Sequence, residues 1–134
     1  MARFSFKWLA ALTALSLLSF AAFAQTSAPS GLTVETSLGV TPTVVSGGGT
    51  VTVFGSITNT SSRSAKLTID YGVVGPCNYT DAYTVQITLR PDETRTSSNS
   101  YTVPTCPGDY ILTATVTTSG GAVLDTKSVT VTVQ

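Results

Sequence analysis

The chain has 134 residues, no histidine, and seven basic against seven acidic side chains. Charged residues are few and form no block, so there is no basic stripe to follow a phosphate backbone, which argues against nucleic acid as a partner. The missing histidine removes Ser-His-Asp and Cys-His nucleophile systems and the commonest metal ligand.

The first residues read as a leader. Arg3 and Lys7 supply a positive start, Trp8 to Phe20 form a short apolar run, and Ala22-Phe23-Ala24 is the small-x-small pattern of a signal-peptidase site. A signal peptide over 1–24, cleaved before Gln25, is therefore expected, with a secreted destination in the periplasm or outside the cell. The apolar run is shorter than the roughly 20 residues of a membrane-spanning helix, and no second candidate follows, so the mature chain carries no predicted span. Residues 25–31 are polar and expected to be a disordered tail. Residues 32–134 are one domain by length, close to the roughly 100 residues of a single immunoglobulin-like sandwich. After the leader, five basic side chains (Arg63, Lys66, Arg90, Arg95, Lys127) face seven carboxylates, a net charge of −2. Serine and threonine alternate with Val, Ile and Leu over much of this part, as in strands with one wet face.

Seven strands are predicted in chain order. In the first, Leu32, Val34, Leu38 and Val40 keep one parity until Pro42 and Gly47-Gly48-Gly49 break it. The second is Thr50 to Asn59, with Val51, Val53 and Ile57 in phase. Gly55 lies on the same face, where a bulge or a close backbone approach is expected. The third is Ala65 to Tyr71, with Leu67, Ile69 and Tyr71 inward. Val73 to Ala82, holding Gly75-Pro76 and Cys77, reads as the longest connection. The fourth strand carries Tyr83, Val85, Ile87 and Leu89, and ends at the turn Pro91-Asp92-Glu93. The fifth, Thr94 to Val103, is hydroxyl-rich and weakly apolar, so it is expected at a sheet edge. The sixth follows Cys106-Pro107-Gly108, with Tyr110, Leu112, Ala114 and Val116 on one side. The seventh, after Ser119-Gly120-Gly121, ends in Val129, Val131 and Val133, with a bulge expected over Asp125 to Lys127. Seven short strands without helical spacing predict an all-β fold, an immunoglobulin-like antiparallel two-sheet sandwich. A small closed barrel is the alternative.

Two cysteines in an exported chain imply one disulfide. If successive strands alternate direction, the third and fifth end at the same pole. Cys77 follows one and Cys106 the other, so a Cys77–Cys106 bridge fits this topology. It differs from the inter-sheet disulfide of antibody domains, although Tyr110 is placed to form a tyrosine-corner contact.

Three stretches carry a family resemblance. Gly49-Thr50-Val51-Thr52-Val53-Phe54-Gly55-Ser56-Ile57-Thr58-Asn59-Thr60-Ser61 resembles the second strand of bacterial cell-adhesion-related (CARDB-type) immunoglobulin-like domains, which runs into an Asn-Thr turn. Leu89-Arg90-Pro91-Asp92-Glu93-Thr94 is similar to that family's leucine-x-proline-glycine-glutamate turn, with Asp92 in place of glycine. Pro107-Gly108-Asp109-Tyr110 with Leu112, Ala114 and Val116 resembles its penultimate strand. The resemblance covers most of 38–133 and implies an extracellular binding, adhesion or spacer module without a catalytic centre.

The residues themselves offer little chemistry. There is no G-x-S-x-G elbow, and Gly47-Gly48-Gly49-Thr50 lacks the lysine of a phosphate loop. Asp81 and Asp109, both assigned to loops at the cysteine pole, are the carboxylate pair closest to a hydrolase or calcium arrangement. No loop carries an ordered ligand series, so no catalytic, cofactor or metal residue is assigned. Asn59-Thr60-Ser61 and Asn78-Tyr79-Thr80 match the glycosylation pattern. Lys66 and Lys127 are expected outward, which excludes an internal lysine–asparagine crosslink. The remaining surface is the cysteine-pole loop with Asn78, Tyr79, Asp81 and Tyr83, because loops on rigid sandwiches carry recognition and tyrosine is enriched in contacts. The expected function is a non-enzymatic surface or envelope module that binds a protein or glycan there. The alternative is a structural subunit or spacer assembling by strand addition through the fifth strand or the Val129-to-Val133 end.

Overall fold

The computed structural model describes residues 31–134; the expected leader, its cleavage site and all of the tail but Gly31 lie outside them. Among the described residues there is no helix. The strands are β1 (Val34–Thr41), β2 (Val44–Val45), β3 (Thr50–Asn59), β4 (Ala65–Gly75), β5 (Tyr79–Leu89), β6 (Thr94–Thr102), β7 (Gly108–Thr118) and β8 (Val123–Val133). One sheet is β1-β3-β6 and the other is β2-β8-β7-β4-β5. Face to face they form the predicted two-sheet sandwich, closed by a disulfide.

Three features differ from expectation. The strands number eight, because after Pro42 the chain leaves the small sheet and Val44–Val45 pair in parallel with Thr132–Val133. The pairing is thus not antiparallel throughout, and β2 covers the end of β8, which is not a free edge. The expected Val73-to-Ala82 connection is mostly strand. β4 and β5 run in unbroken register from Ala65↔Leu89 to Gly75↔Tyr79, joined by Pro76, Cys77 and Asn78. Cys77 and Asn78 both have φ 57°, as a primed hairpin turn needs at both central positions, and Tyr79 N–H closes the turn on the Pro76 carbonyl at 3.2 Å. Glycine, proline and polar residues disguised a continuous alternation. The third difference lies in β8. The register shifts opposite Val116 and Thr117, passing over Leu124, one residue before the expected bulge. Asp125 and Lys127 thereby pair with the inward-facing Val116 and Ala114. Lys127 therefore shares the inward parity, contrary to expectation, with its amine 4.0 Å from Asp125.

Inward side chains form two clusters. Val40, Val51, Val103, Tyr110, Val131 and Val133 fill the disulfide end. Ile57, Ala65, Leu67, Ile69, Leu89 and Val116 fill the other. Burying each larger side chain stabilises by about 1.5–3 kcal/mol. Below the second cluster, Asn59 is fully buried. Its amide donates to the Arg63 and Leu89 carbonyls at 2.8 and 3.1 Å. Its carbonyl accepts from Ser61 N–H at 3.0 Å and from the Ser61 hydroxyl. Both amide protons are in use, so the folded Asn59 offers none for glycosylation. Gly55 makes the expected close approach, since a Cβ there would stand 2.8 Å from the Ser37 carbonyl.

The sandwich is asymmetric across its two seams. On one side β1 lies against β8, and Thr36 donates to Asp125 across the gap. On the other, β5 and β6 are both sheet edges, and β5 packs chiefly on β4. A three-stranded sheet is too narrow to cover a five-stranded one. The inward-facing Tyr83 and Val85 are accordingly 37 % and 36 % exposed.

Candidate binding groove at the disulfide end

The open seam holds a cavity of about 540 Å³ at the disulfide end, walled by both sheets. Period-two geometry decides what enters it. On β5 the inward residues are Tyr79, Asp81, Tyr83, Val85 and Ile87. On β6, whose register with β3 pairs Val51 with Tyr101 and Val53 with Asn99, they are Arg95, Ser97, Asn99 and Tyr101. Tyr79, Asp81, Tyr83, Asn99 and Tyr101 line the cavity, with Tyr71 and Tyr110 behind them. A second cavity of about 230 Å³ continues the groove past Tyr71, Tyr83 and Tyr101 towards Arg95. One wall is aromatic and aliphatic and the other is polar.

Tyrosines organise this seam. Tyr71 stacks on Tyr83 with ring centroids 4.8 Å apart, and the Tyr83 and Tyr101 hydroxyls meet across the gap at 3.2 Å. Burial, followed by the Tyr101 hydrogen bond and neighbouring charge, pushes the Tyr83 phenol well above its ordinary value. Burial also raises Tyr71, against the lowering effect of a hydrogen bond with Ser97. Tyr79 meets Tyr110 edge-on at 5.6 Å, a favourable aromatic geometry.

The disulfide end is held by a corner. Cys77 and Cys106 are bonded with Cα atoms 6.4 Å apart, tying the β4–β5 turn to the β6–β7 crossover. Buried Tyr110, raised in pKa by that burial, donates its hydroxyl to the Cys106 carbonyl at 2.7 Å. This is the anticipated tyrosine-corner contact. Its ring occupies the space beside Gly75, where a Cβ would lie 2.2 Å from a ring carbon. Glycine at 75 is thus a packing requirement of the corner.

Of the four residues singled out in sequence, Tyr79, Asp81 and Tyr83 line the groove, on a strand rather than a loop. Asn78 sits exposed at the turn apex and does not line the cavity. Tyr71, Asn99, Tyr101 and Tyr110 were missed as groove residues, though the parity of Tyr71 and Tyr101 with their inward neighbours carried the signal. Asp81 and Asp109 do not converge. Asp81 shares the inward parity of β5, whereas Asp109 alternates with inward Tyr110, faces outward and accepts from Thr132 at 2.7 Å. Among the described residues no three His, Cys, Asp or Glu side chains group as metal ligands. No helix there is long and apolar enough to cross a membrane.

No family model and no curated protein matches the chain. Solved structures do. The CARDB domain of PF1109 from Pyrococcus furiosus, crystallised in complex with di-metal ions, matches with TM-score 0.58 at 21 % identity, over 76 % of this chain and 91 % of that one. The alkylpurine DNA glycosylase AlkC of Pseudomonas fluorescens, bound to DNA with an abasic-site analogue, matches with TM-score 0.58 at 18 % identity, over 88 % of this chain but 36 % of its own. A Listeria innocua β-glucosidase in complex with glucose gives TM-score 0.56 at 18 % identity, over 76 % of this chain and 16 % of its own. The chain thus spans about a third of the glycosylase and a sixth of the glucosidase. At these identities the likeness concerns fold. The described chain is a CARDB-like, disulfide-bonded immunoglobulin-like β-sandwich.

Proposed function

We propose that this protein is an exported, non-catalytic binding module of the cell surface or envelope, holding a protein or glycan partner in the groove between β5 and β6. The observation that carries this reading is the convergence of five tyrosines from both sheets on one open cavity. Concave, mostly apolar sites with a few placed polar groups are the usual form of a recognition site. Asp81, Asn99 and the Tyr83–Tyr101 hydroxyl pair are those polar groups here. An exported destination rests on the leader and agrees with the disulfide.

The test is crosslinking capture from the cell's own envelope and medium fractions, with wild type beside a Tyr79→Ala, Tyr83→Ala double variant. A specific partner lost in the variant is the expected result. Equal capture by both proteins would remove the groove from consideration.

A further inference from the structure

The two edges that border the groove are not equivalent. On β5, Tyr79 N–H turns back to Pro76, so odd-numbered residues direct their backbone groups to β4 and even-numbered ones to the open seam. Two of these outward positions are already occupied. Ala82 N–H donates to the Asp81 carboxylate at 2.9 Å, and the Thr88 carbonyl accepts from Arg95 at 3.4 Å. Only Thr84 and Gln86 remain between them. The β5 edge is stoppered at both ends.

The β6 edge is open. Val103 N–H donates to the Gly49 carbonyl, so on β6 the odd residues face β3 and Thr94, Thr96, Ser98, Ser100 and Thr102 face outward. Among the described residues these five outward backbone positions face no partner strand, since β6 is the last strand of its sheet. The strand has one charge, no proline and no register break against β3. These are the devices that ordinarily blunt an edge, and all but the charge are missing. The same seam also leaves apolar surface bare, because the small sheet reaches Tyr83 only at its hydroxyl, through Tyr101, and Tyr83 and Val85 stay partly exposed.

We infer that the partner enters as an extended strand on the open β6 edge, its alternate apolar side chains seated on Tyr83, Val85 and Ile87. This rests on the binding-module reading and assigns the partner's chemistry. One added strand satisfies both observations at once, since its backbone completes the Thr96–Ser98–Ser100 ladder and its inward side chains cover β5. Arg95 and Tyr101 already cross the seam at either end, which limits the paired length to about five residues. A second copy of β6 is a poor occupant, because its inward side chains (Arg95, Ser97, Asn99) are polar and would meet Val85 and Ile87.

The experiment uses a pooled library of decapeptides with randomised apolar residues at alternate positions and threonine between them, selected on the exported protein and measured by titration. Peptides from the pool are expected to be enriched over a pool with the same residues in scrambled order. Methylating the backbone nitrogens in one alternate phase should weaken binding about 100-fold, and in the other phase about 3-fold or less. Ser98→Pro removes an outward N–H without touching the β3 ladder and should also weaken binding, while the thermal midpoint reports that the fold is kept. Binding indifferent to methylation phase and to Ser98→Pro would overturn strand addition, as would no enrichment over the scrambled pool. If a partner were still captured from the envelope and lost in the Tyr79→Ala, Tyr83→Ala variant, the groove would stand and only the strand would fall. Saturable binding of a neutral hexasaccharide in place of peptide would assign the groove to glycan. Concentration-dependent dimers lost in Ser98→Pro would assign the edge to a second copy.

Discussion

Asn59 shows how a polar residue can be among the most buried in a small sandwich. All four of its hydrogen-bonding positions are matched by Arg63, Leu89 and Ser61, and its backbone also receives Asp92 N–H and donates to Glu93. Asn59→Ala leaves carbonyls and an amide buried without partners, and should cost about 2–4 kcal/mol in urea unfolding. Asp92, at the neighbouring turn, is strained in the opposite sense. Its φ is 63°, at the position after Pro91 where a turn of this kind favours glycine, and Glu93 N–H closes that turn on Arg90 at 3.1 Å. Asp92→Gly relieves the left-handed conformation at some cost in unfolded-state entropy, so a net gain of about 0.5–1 kcal/mol is expected in the same assay.

Strand parity makes most elements legible in the sequence alone. Leu67, Ile69 and Leu89 fell inward as the alternation required, the hydroxyl-rich β6 took an edge, and the cysteines met where alternating strand directions placed them. What parity could not show was where the alternation itself was hidden. Gly75-Pro76 and Asn78 read as loop by composition, yet the left-handed Cys77 and Asn78 make a tight turn and let β4 and β5 run on. Three groove residues were therefore named while their setting was misread as a loop. Lys127 failed because the bulge falls at Leu124 and not over Asp125 to Lys127, so Lys127 keeps the unbroken alternation of Val129, Val131 and Val133. The groove's other wall depends on which strands become neighbours across the seam, and pattern along a single chain does not encode that. The disulfide belongs to this scale as well. It closes a loop with a sequence separation of 29, and replacing both cysteines with alanine should lower stability by about 3–4 kcal/mol on the loop-entropy account. Gly75→Ala would displace the Tyr110 ring from the corner, at about 1–3 kcal/mol. Separation of the two effects by a double-mutant cycle would show whether bridge and corner act as one unit.

The molecule as a whole has an unusually simple titration. There is no histidine, and both cysteines are bonded, so the side chains that ordinarily change charge near neutrality are missing and stability should be flat there. The alkaline limb is different. Tyr71, Tyr83 and Tyr110 are all raised above the ordinary value of 10.0, with burial the leading cause in each. Above that pH the unfolded chain releases phenolic protons that the folded sandwich retains, so the folded state binds more protons and stability falls as pH rises. Their contribution is complete below about pH 10 and is lost above it. The urea midpoint should therefore hold level to about pH 9 and then decline. Phenolate absorbance of the folded protein should lag that of the unfolded chain through the same range. Tyr83→Phe removes the phenol that bridges the two sheets and should make the decline shallower while leaving the plateau's width unchanged. An unaltered alkaline slope in that variant would mean that folding does not hold the Tyr83 phenol above its ordinary value, and that its ring at the seam is wetter than its burial between Tyr71 and Tyr101 requires.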